Sequence, residues 1–443
     1  MTAPRRCSWR GPRPVAHTSP IRPGRREILF LQGPPGCFFR ELARQVEAEG
    51  HGVHRINFNG GDALDWRGGG INYRGGVGAW PSFLARLLLE RDISDVVLFG
   101  DCRPIHRAAR GVAAGLGLTV HVFEEGYIRP NWVTLERGGV NGFSTLSSDP
   151  QWYLDAAERL APIPEHGPLP SAIDRRARAS VAYHLATVLS AAAFSGYRNH
   201  RPWHPAAEAA GWAGRWIRRR LGGANPEPSL DGTPYFLLPL QLDSDYQLRT
   251  HSDYEGMQPA LAQVIASFAR HAPVNASLVV KEHPLDNGLR DWRRRTLDYA
   301  RALNVSDRVV FLDTGDIDTL VGDAQGVVTI NSTTGTLALA AGVPVATLGR
   351  AIYNIAGLTH RGPLDTFWRT LTKPDPRLYE AFRRVLASRC LLWGGFYDLA
   401  TRQALVRAAT ERMLGPRSDT VAAPKGAPPF VRNPAPPALI AAE

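Results

Sequence analysis

Short apolar runs, each closed by a polar or glycine-rich turn and followed by a helical pattern, recur along this chain, stop, and then start again. Glu27-Ile28-Leu29-Phe30-Leu31 ends in Gln32-Gly33-Pro34-Pro35-Gly36, and a helical pattern covers 38–46. Runs at 52–58, 94–99 and 118–123 repeat the scheme, the last ending at Glu124-Glu125-Gly126. After a break it resumes at 234–240, with a helix over 257–270, and continues at 276–281, 308–312, 326–330 and 344–348. Strands alternating with helices make a parallel sheet covered on both faces, and two such series make two sheets. Ligands of parallel sheets bind beyond the carboxyl ends of the strands, where the polar turns of this sequence fall. The fold class expected is α/β, with two Rossmann-like domains facing a cleft.

A chain of 443 residues, 44% hydrophobic and 21% charged, can bury two cores of ordinary size. The expected divisions are a basic disordered tail over 1–26, a first Rossmann-like domain over 27–150 and a helical, arginine-rich linker or insert over 151–230. A second domain over 231–400, a C-terminal helix over 401–415 and a Pro/Ala-rich disordered tail over 416–443 complete the chain. Residues 1–26 hold seven arginines and no acid, and prolines interrupt any apolar core of a secretory signal. Cys7, Cys37, Cys102 and Cys390 form no C-x-x-C pair and no metal-like spacing with histidine. That usage suits a reducing compartment. No apolar run approaches the ~20 residues that span a bilayer.

The net charge of +11 favours anionic partners. Between Arg175 and Arg220 there are nine arginines and one acid, Glu208, with Trp203, Trp212 and Trp216 interleaved. This segment reads either as a contact with an anionic membrane surface or as a linker with a solvated basic face. Nucleic-acid binding calls for basic and aromatic residues interleaved on one sheet face, and here the surplus sits in the tails and in 175–220.

Three clusters carry chemistry. Glu124-Glu125-Gly126 places two carboxylates at a strand end, where burial raises a carboxyl pKa and suits it to acid–base or nucleophilic work. Lys281-Glu282-His283-Pro284 offers a cation and an imidazole to a phosphate. Asn331-Ser332-Thr333-Thr334-Gly335-Thr336 brings four hydroxyls to a helix start, more than one N-cap needs, and suits an anion. No P-loop motif is present.

Taken in order, these clusters resemble GT-B transferases that use CMP-activated sugar acids. A longer resemblance, from about Phe30 to Tyr397, is to capsule polysaccharide synthesis and export proteins of the KpsS/LipB type. It is carried by Leu31-Gln32-Gly33-Pro34, Arg55 through Asp62 (RINFNGGD), Phe99 through His106 (FGDCRPIH) and Phe123 through Pro130 (FEEGYIRP). Gly138 through Ser144 (GGVNGFS), Lys281 through Asp286 (KEHPLD), Thr329 through Thr333 (TINST) and Leu348 through Tyr353 (LGRAIY) extend it. The resemblance implies a retaining β-Kdo transferase that moves Kdo from CMP-β-Kdo to a (lyso)phosphatidylglycerol acceptor, starting the lipid linker of a capsule. It implies a cytoplasmic protein peripheral on the inner face of the inner membrane, working beside other capsule proteins, with no metal and no other cofactor.

Under this resemblance Glu125 is the catalytic carboxylate, with Glu124 as the other candidate. Lys281 and His283 meet the departing CMP phosphate beside Pro284. Asn331, Ser332, Thr333 and Thr334 hold the same donor. Gln32, Gly33, Asn59, Asp62, Asp101 and Arg103 line the first-domain side, and Arg103 and Arg129 clamp a carboxylate or phosphate bidentately. Asp101 alternatively caps the helix after it, and Asn59 alternatively forms a turn. His106, Trp66 and Trp80 read as packing residues. A non-catalytic export or scaffold subunit, or a transferase of another CMP-activated sugar acid, remains open on the same residues.

Overall fold

The computed structural model describes residues 24–167, 169–198, 203, 205–221 and 232–416. Nearly all of both expected tails lies outside the described residues. Six strands form in the first half: β1 (Glu27–Phe30), β2 (Gly52–Asn57), β3 (Ile71–Asn72), β4 (Asp95–Phe99), β5 (Thr119–Glu125) and β6 (Trp132–Arg137). Five follow in the second: β7 (Tyr235–Pro239), β8 (Ser277–Lys281), β9 (Val309–Leu312), β10 (Gly326–Thr329) and β11 (Val345–Thr347). The last strand is β12 (Leu391–Trp393).

These make two sheets, ordered β12-β6-β5-β4-β1-β2-β3 and β11-β10-β7-β8-β9. The second is parallel throughout, and the first is parallel from β5 to β3. Apart from β3, the parallel strands are short and largely buried on both faces, as Val, Ile, Leu and Phe runs covered by helices must be. In each sheet the chain order reverses once, between β1 and β4 and between β7 and β10. Those two switch points, with the carboxyl ends beside them, face each other across one cleft, the GT-B-like arrangement expected.

Two parts differ from the expected divisions. The second unit does not run to residue 400, because β12 crosses back and pairs antiparallel with β6 in the first sheet. The helix Pro376–Arg389 returns with it, its Phe382 ring 5.5 Å from that of Tyr153. The helix Arg402–Leu414 then buries Leu405, Val406, Ala409 and Met413 with Phe38, Leu42 and Val46 of the helix Phe38–Ala48. Arg402 pairs bidentately with Glu41 at 2.7 and 3.0 Å on the same contact. Truncating Leu42 to Ala in that core costs about 2–5 kcal/mol.

The 151–230 insert is also not a mere linker. Its helix Ile173–Leu189 lies on the helix Gly60–Trp66, where Gly60 and Gly61 are needed. A Cβ on Gly61 would stand 2.6 Å from the Tyr183 ring, and one on Gly60 would stand 2.5 Å from the Ala186 carbonyl oxygen.

Candidate functional site

The site begins with the end of β5. Glu124 and Glu125 do not follow this strand; they are its last two residues, opposite Thr134 and Val133 of β6. Strand alternation therefore sends their side chains to opposite faces. Glu124 turns to the cleft, where its Oε2 accepts from Gln247 Nε2 of the second domain at 3.3 Å. Burial pushes its carboxyl up to about 7, against the Glu125 amide that donates to it, and the nearby Asp245 charge adds to the rise. Glu125 instead pairs with Arg176 at 3.1 Å.

At the first switch point Gln32 follows β1 and Arg103 follows β4, and Arg103 Nη1 donates to Gln32 Oε1 at 2.8 Å. Behind them lies a closed net. Asp62 accepts from the Phe58 amide at 2.9 Å and from the Tyr183 hydroxyl at 3.0 Å, and pairs with buried Arg55 at 3.3 Å. Gln32 and Asn59 both donate to the Tyr183 oxygen, at 2.7 and 2.9 Å. Asn59 also N-caps the helix Gly60–Trp66 by accepting from Asp62 N, so it is a cap and not a free turn residue.

Asp62, Asn59 and Asp101 are buried and bonded to protein groups, and Asp62 also lines a small pocket with Gly33, Arg40, Arg55 and Asp65. Asp101 does not cap the helix Pro104–Gly115; it accepts from the Val140 amide at 3.1 Å and so ties down the loop after β6. Gly33 is held glycine by Phe39, whose ring would be 2.7 Å from a Cβ. His106 is buried against the Gly100 carbonyl and Trp80 is fully buried, as packing residues should be, while Trp66 is half-buried against Phe30.

On the second domain, Gln241 after β7 and Asn331 after β10 span the other switch point. Gln241 Nε2 donates to Asn331 Oδ1 at 2.8 Å, and the Asn331 amide donates back to Gln241 Oε1 at 3.1 Å. Asn331 Nδ2 donates to the Gln247 carbonyl at 3.1 Å, so Asn331 holds the segment that carries Asp245 and Gln247. Ser332 and Thr334 bond to one another at the start of the seven-residue helix Thr334–Ala340, and Thr333 occupies its N-cap without a side-chain bond. Thr336 reaches across to the Tyr127 carbonyl at 2.9 Å.

Lys281 is buried at the end of β8, and His283 follows half-buried beside exposed Pro284. The Leu285 amide donates to His283 Nδ1 at 3.0 Å, which leaves Nε2 to carry the proton. Burial, then the charges of Arg129, Lys281 and Arg215, lower His283 to about 4, so the imidazole is neutral near pH 7. It offers a hydrogen bond, and the positive charge comes from its neighbours. Arg129 is exposed, with Asp245 and His283 within its electrostatic reach.

Four residues that the motifs did not announce complete the site. Tyr183 comes from the insert, and Asp245 and Gln247 come from the N-cap and first turn of the short helix Tyr246–Thr250 after β7. Arg215, from the helix Pro205–Leu221, is buried, pairs with Glu282 at 3.0 Å and donates to the Asp286 carbonyl at 2.7 Å. Its Nη2 is buried without a hydrogen-bond partner among the described residues. A proline-led amphipathic pattern with an arginine on its buried side was the only signal for it.

One group among the described residues has metal-like donor spacing: Asp101, Cys102 and His251, all buried, with their donor atoms within 4.8 Å of one another. Hydrogen bonds account for it. Cys102 Sγ lies 3.4 Å from Asp101 Oδ1 and 3.2 Å from His251 Nε2, a contact that joins the two domains. Glu282, Asp286 and Asp313 are likewise engaged, by Arg215, the Trp292 indole and Arg293.

Two α/β units with switch points opposed across a polar, cation-edged cleft define the class of this protein. The sequence profile described as "Capsule polysaccharide biosynthesis protein" matches residues 94–397, and the chain belongs to that family. It is 34% identical to "Capsule polysaccharide export protein KpsS" of Escherichia coli, covering 82% of this chain and 94% of that protein. It is 33% identical to "Capsule polysaccharide modification protein LipB" of Neisseria meningitidis, over 84% of this chain and 91% of the relative. Among solved structures, "Thermosulfurimonas dismutans KpsC, beta Kdo 2,7 transferase" aligns with a TM-score of 0.40 at 14% identity, over 82% of this chain and 91% of that one.

Proposed function

We propose that the protein is a retaining glycosyltransferase that moves Kdo from CMP-β-Kdo to a (lyso)phosphatidylglycerol acceptor at the inner face of the inner membrane, alongside other capsule proteins. The observation that carries this reading is the opposition of a raised, half-buried carboxylate, Glu124, to an edge on the second domain where Lys281, Arg129 and Arg215 surround His283. Glu124 is preferred to Glu125 for the chemistry, because Glu125 faces away and is neutralised by Arg176.

In the proposed mechanism the donor's CMP lies on the second domain. Its phosphate meets Lys281, the His283 Nε2–H, Arg215 Nη2 and the Ser332–Thr334 turn. Arg103 and Arg129 clamp the sugar carboxylate. The ionised Glu124 attacks the anomeric carbon as the bond to the CMP phosphate breaks, and the phosphate leaves with the electron pair. The acceptor hydroxyl then attacks the same carbon, its proton passes to the Asp245 carboxylate, and Glu124 is released. Two inversions give net retention.

Purified protein, CMP-Kdo generated in situ and a fluorescent lysophosphatidylglycerol test this directly. A product heavier by one Kdo is expected, and it is expected to be lost with His283→Ala. If CMP-sialic acid serves instead, the donor assignment falls. A folded protein that supports capsule export in cells yet transfers no sugar would be the scaffold subunit.

A further inference from the structure

The helix Ile173–Leu189 has two faces. Inward, Tyr183 closes the Gln32–Asn59–Asp62 net, Thr187 donates to Asn59 Oδ1 at 3.2 Å, and Arg176 near its start pairs with Glu125. Outward, Val181, Leu185 and Val188 are 67%, 56% and 52% exposed, and Leu189 and Ile173 are 78% and 72% exposed.

Single exposed aliphatic residues are ordinary, but these are not scattered. Positions 181, 185 and 188 stand at i, i+4 and i+7, which puts them on one stripe of the helix. Leu189 lies beside them with exposed Ala177, Ala182 and Ala192, and no acid falls between Arg175 and Arg198. The charges around it are mainly basic. Arg178 is exposed in the first turns beside the single acid Asp174, Arg176 is exposed but paired with Glu125, and Arg198 follows the helix end. The next helix, Pro205–Leu221, also leaves Trp212 and Ile217 exposed, with Arg220 exposed near its end. An apolar stripe flanked by arginines is the pattern of a helix lying in a membrane interface, with side chains at the acyl boundary and guanidiniums among the phosphates. A contact with a second copy would be served by the apolar stripe alone; the mainly basic flank favours an anionic lipid surface.

We infer that the outward face of the helix Ile173–Leu189 seats the protein on an anionic phospholipid bilayer. The same helix carries Tyr183 and Arg176 into the candidate site, so docking fixes the site directly above the surface that presents a lipid acceptor. The inference deepens the function proposed above and rests on it for the acceptor, while the docking itself is independent of the chemistry.

The full chain is sedimented with vesicles of phosphatidylcholine alone and of phosphatidylcholine mixed equally with phosphatidylglycerol. Wild type is expected to pellet with the mixed vesicles and to remain in the supernatant with phosphatidylcholine. Leu185→Glu/Val188→Glu is expected to weaken partitioning at least tenfold. Because both side chains are exposed, its melting temperature and its transfer to a short-chain soluble acceptor are expected to match wild type. Leu185→Ala/Val188→Ala, which adds no charge, is expected to weaken binding by a smaller factor and guards against misfolding of the first variant.

The inference is overturned if the glutamate variant pellets like wild type, or if wild type ignores both vesicles. It is also overturned if light scattering shows a wild-type dimer that the variant turns into a monomer, which would make the stripe a contact between copies. Vesicle binding without sugar transfer would uphold the surface and sink the proposed chemistry. Transfer to a soluble acceptor without vesicle binding would do the reverse.

Discussion

On the first-domain edge of the cleft, Asp62 accepts from Phe58 N and Tyr183, pairs with Arg55 and lies 3.4 Å from the Gln32 amide, and nearly every atom of that net is buried. On the second-domain edge, His283 holds a backbone amide with one nitrogen and keeps the other N–H, and Arg215 buries an Nη2 with no partner among the described residues. The net around Asp62 has satisfied its hydrogen bonds within the protein, so it behaves as a rigid mould. The second keeps donors in reserve, which costs stability unless an anion arrives. The comparison separates residues that shape the cleft from residues that bind in it, although the two kinds look alike as sequence motifs.

The largest expected effect tests the mould. Asp62→Ala leaves the Arg55 guanidinium buried without its carboxylate, and burial already lowers the Arg55 pKa. Removing one partner of a buried pair costs about 3–5 kcal/mol, to be read from thermal or urea unfolding. A variant as stable as wild type would remove the distinction between the two edges. Next, His283→Ala is expected to leave unfolding nearly unchanged while weakening donor binding by about 1–3 kcal/mol, roughly fivefold to a hundred-and-fiftyfold. Calorimetric titration with CMP would show it.

A smaller effect sharpens the contact between the edges. Glu124 has to be ionised to attack, and its carboxyl is raised to about 7, so transfer is expected to increase as pH rises through about 7. Gln247 donates to the ionised form. Gln247→Leu therefore moves that limb to higher pH, by about one unit, equivalent to about 1.4 kcal/mol. An unmoved limb in the pH–rate profile would detach Gln247 from Glu124.

The longer parallel strands were legible because a strand buried on both faces must be an unbroken apolar run, as in Val96-Val97-Leu98-Phe99. The two-residue β3, β6 and β12 were not. Leu391-Leu392-Trp393 is only three residues long and directly follows a helix, so no periodicity marks it. Lys281 and His283 stood out because charge directly after a buried run needs a reason. Asp245, Gln247 and Arg215 carried no such signal, since each reaches the site only when a loop or helix distant in sequence folds over it. The faces of Glu124 and Glu125 depended on one fact that the sequence left open: the strand includes both residues, and its pleat separates them.

That separation is the centre of the account, and paired variants test it most directly. Glu124→Gln and Glu125→Gln are assayed side by side for Kdo transfer to lysophosphatidylglycerol, with unfolding curves as a control. Glu124→Gln is expected to lose transfer by at least about a thousandfold with its fold intact, while Glu125→Gln keeps most of it. Transfer that survives in Glu124→Gln, or is lost only in Glu125→Gln, would contradict this.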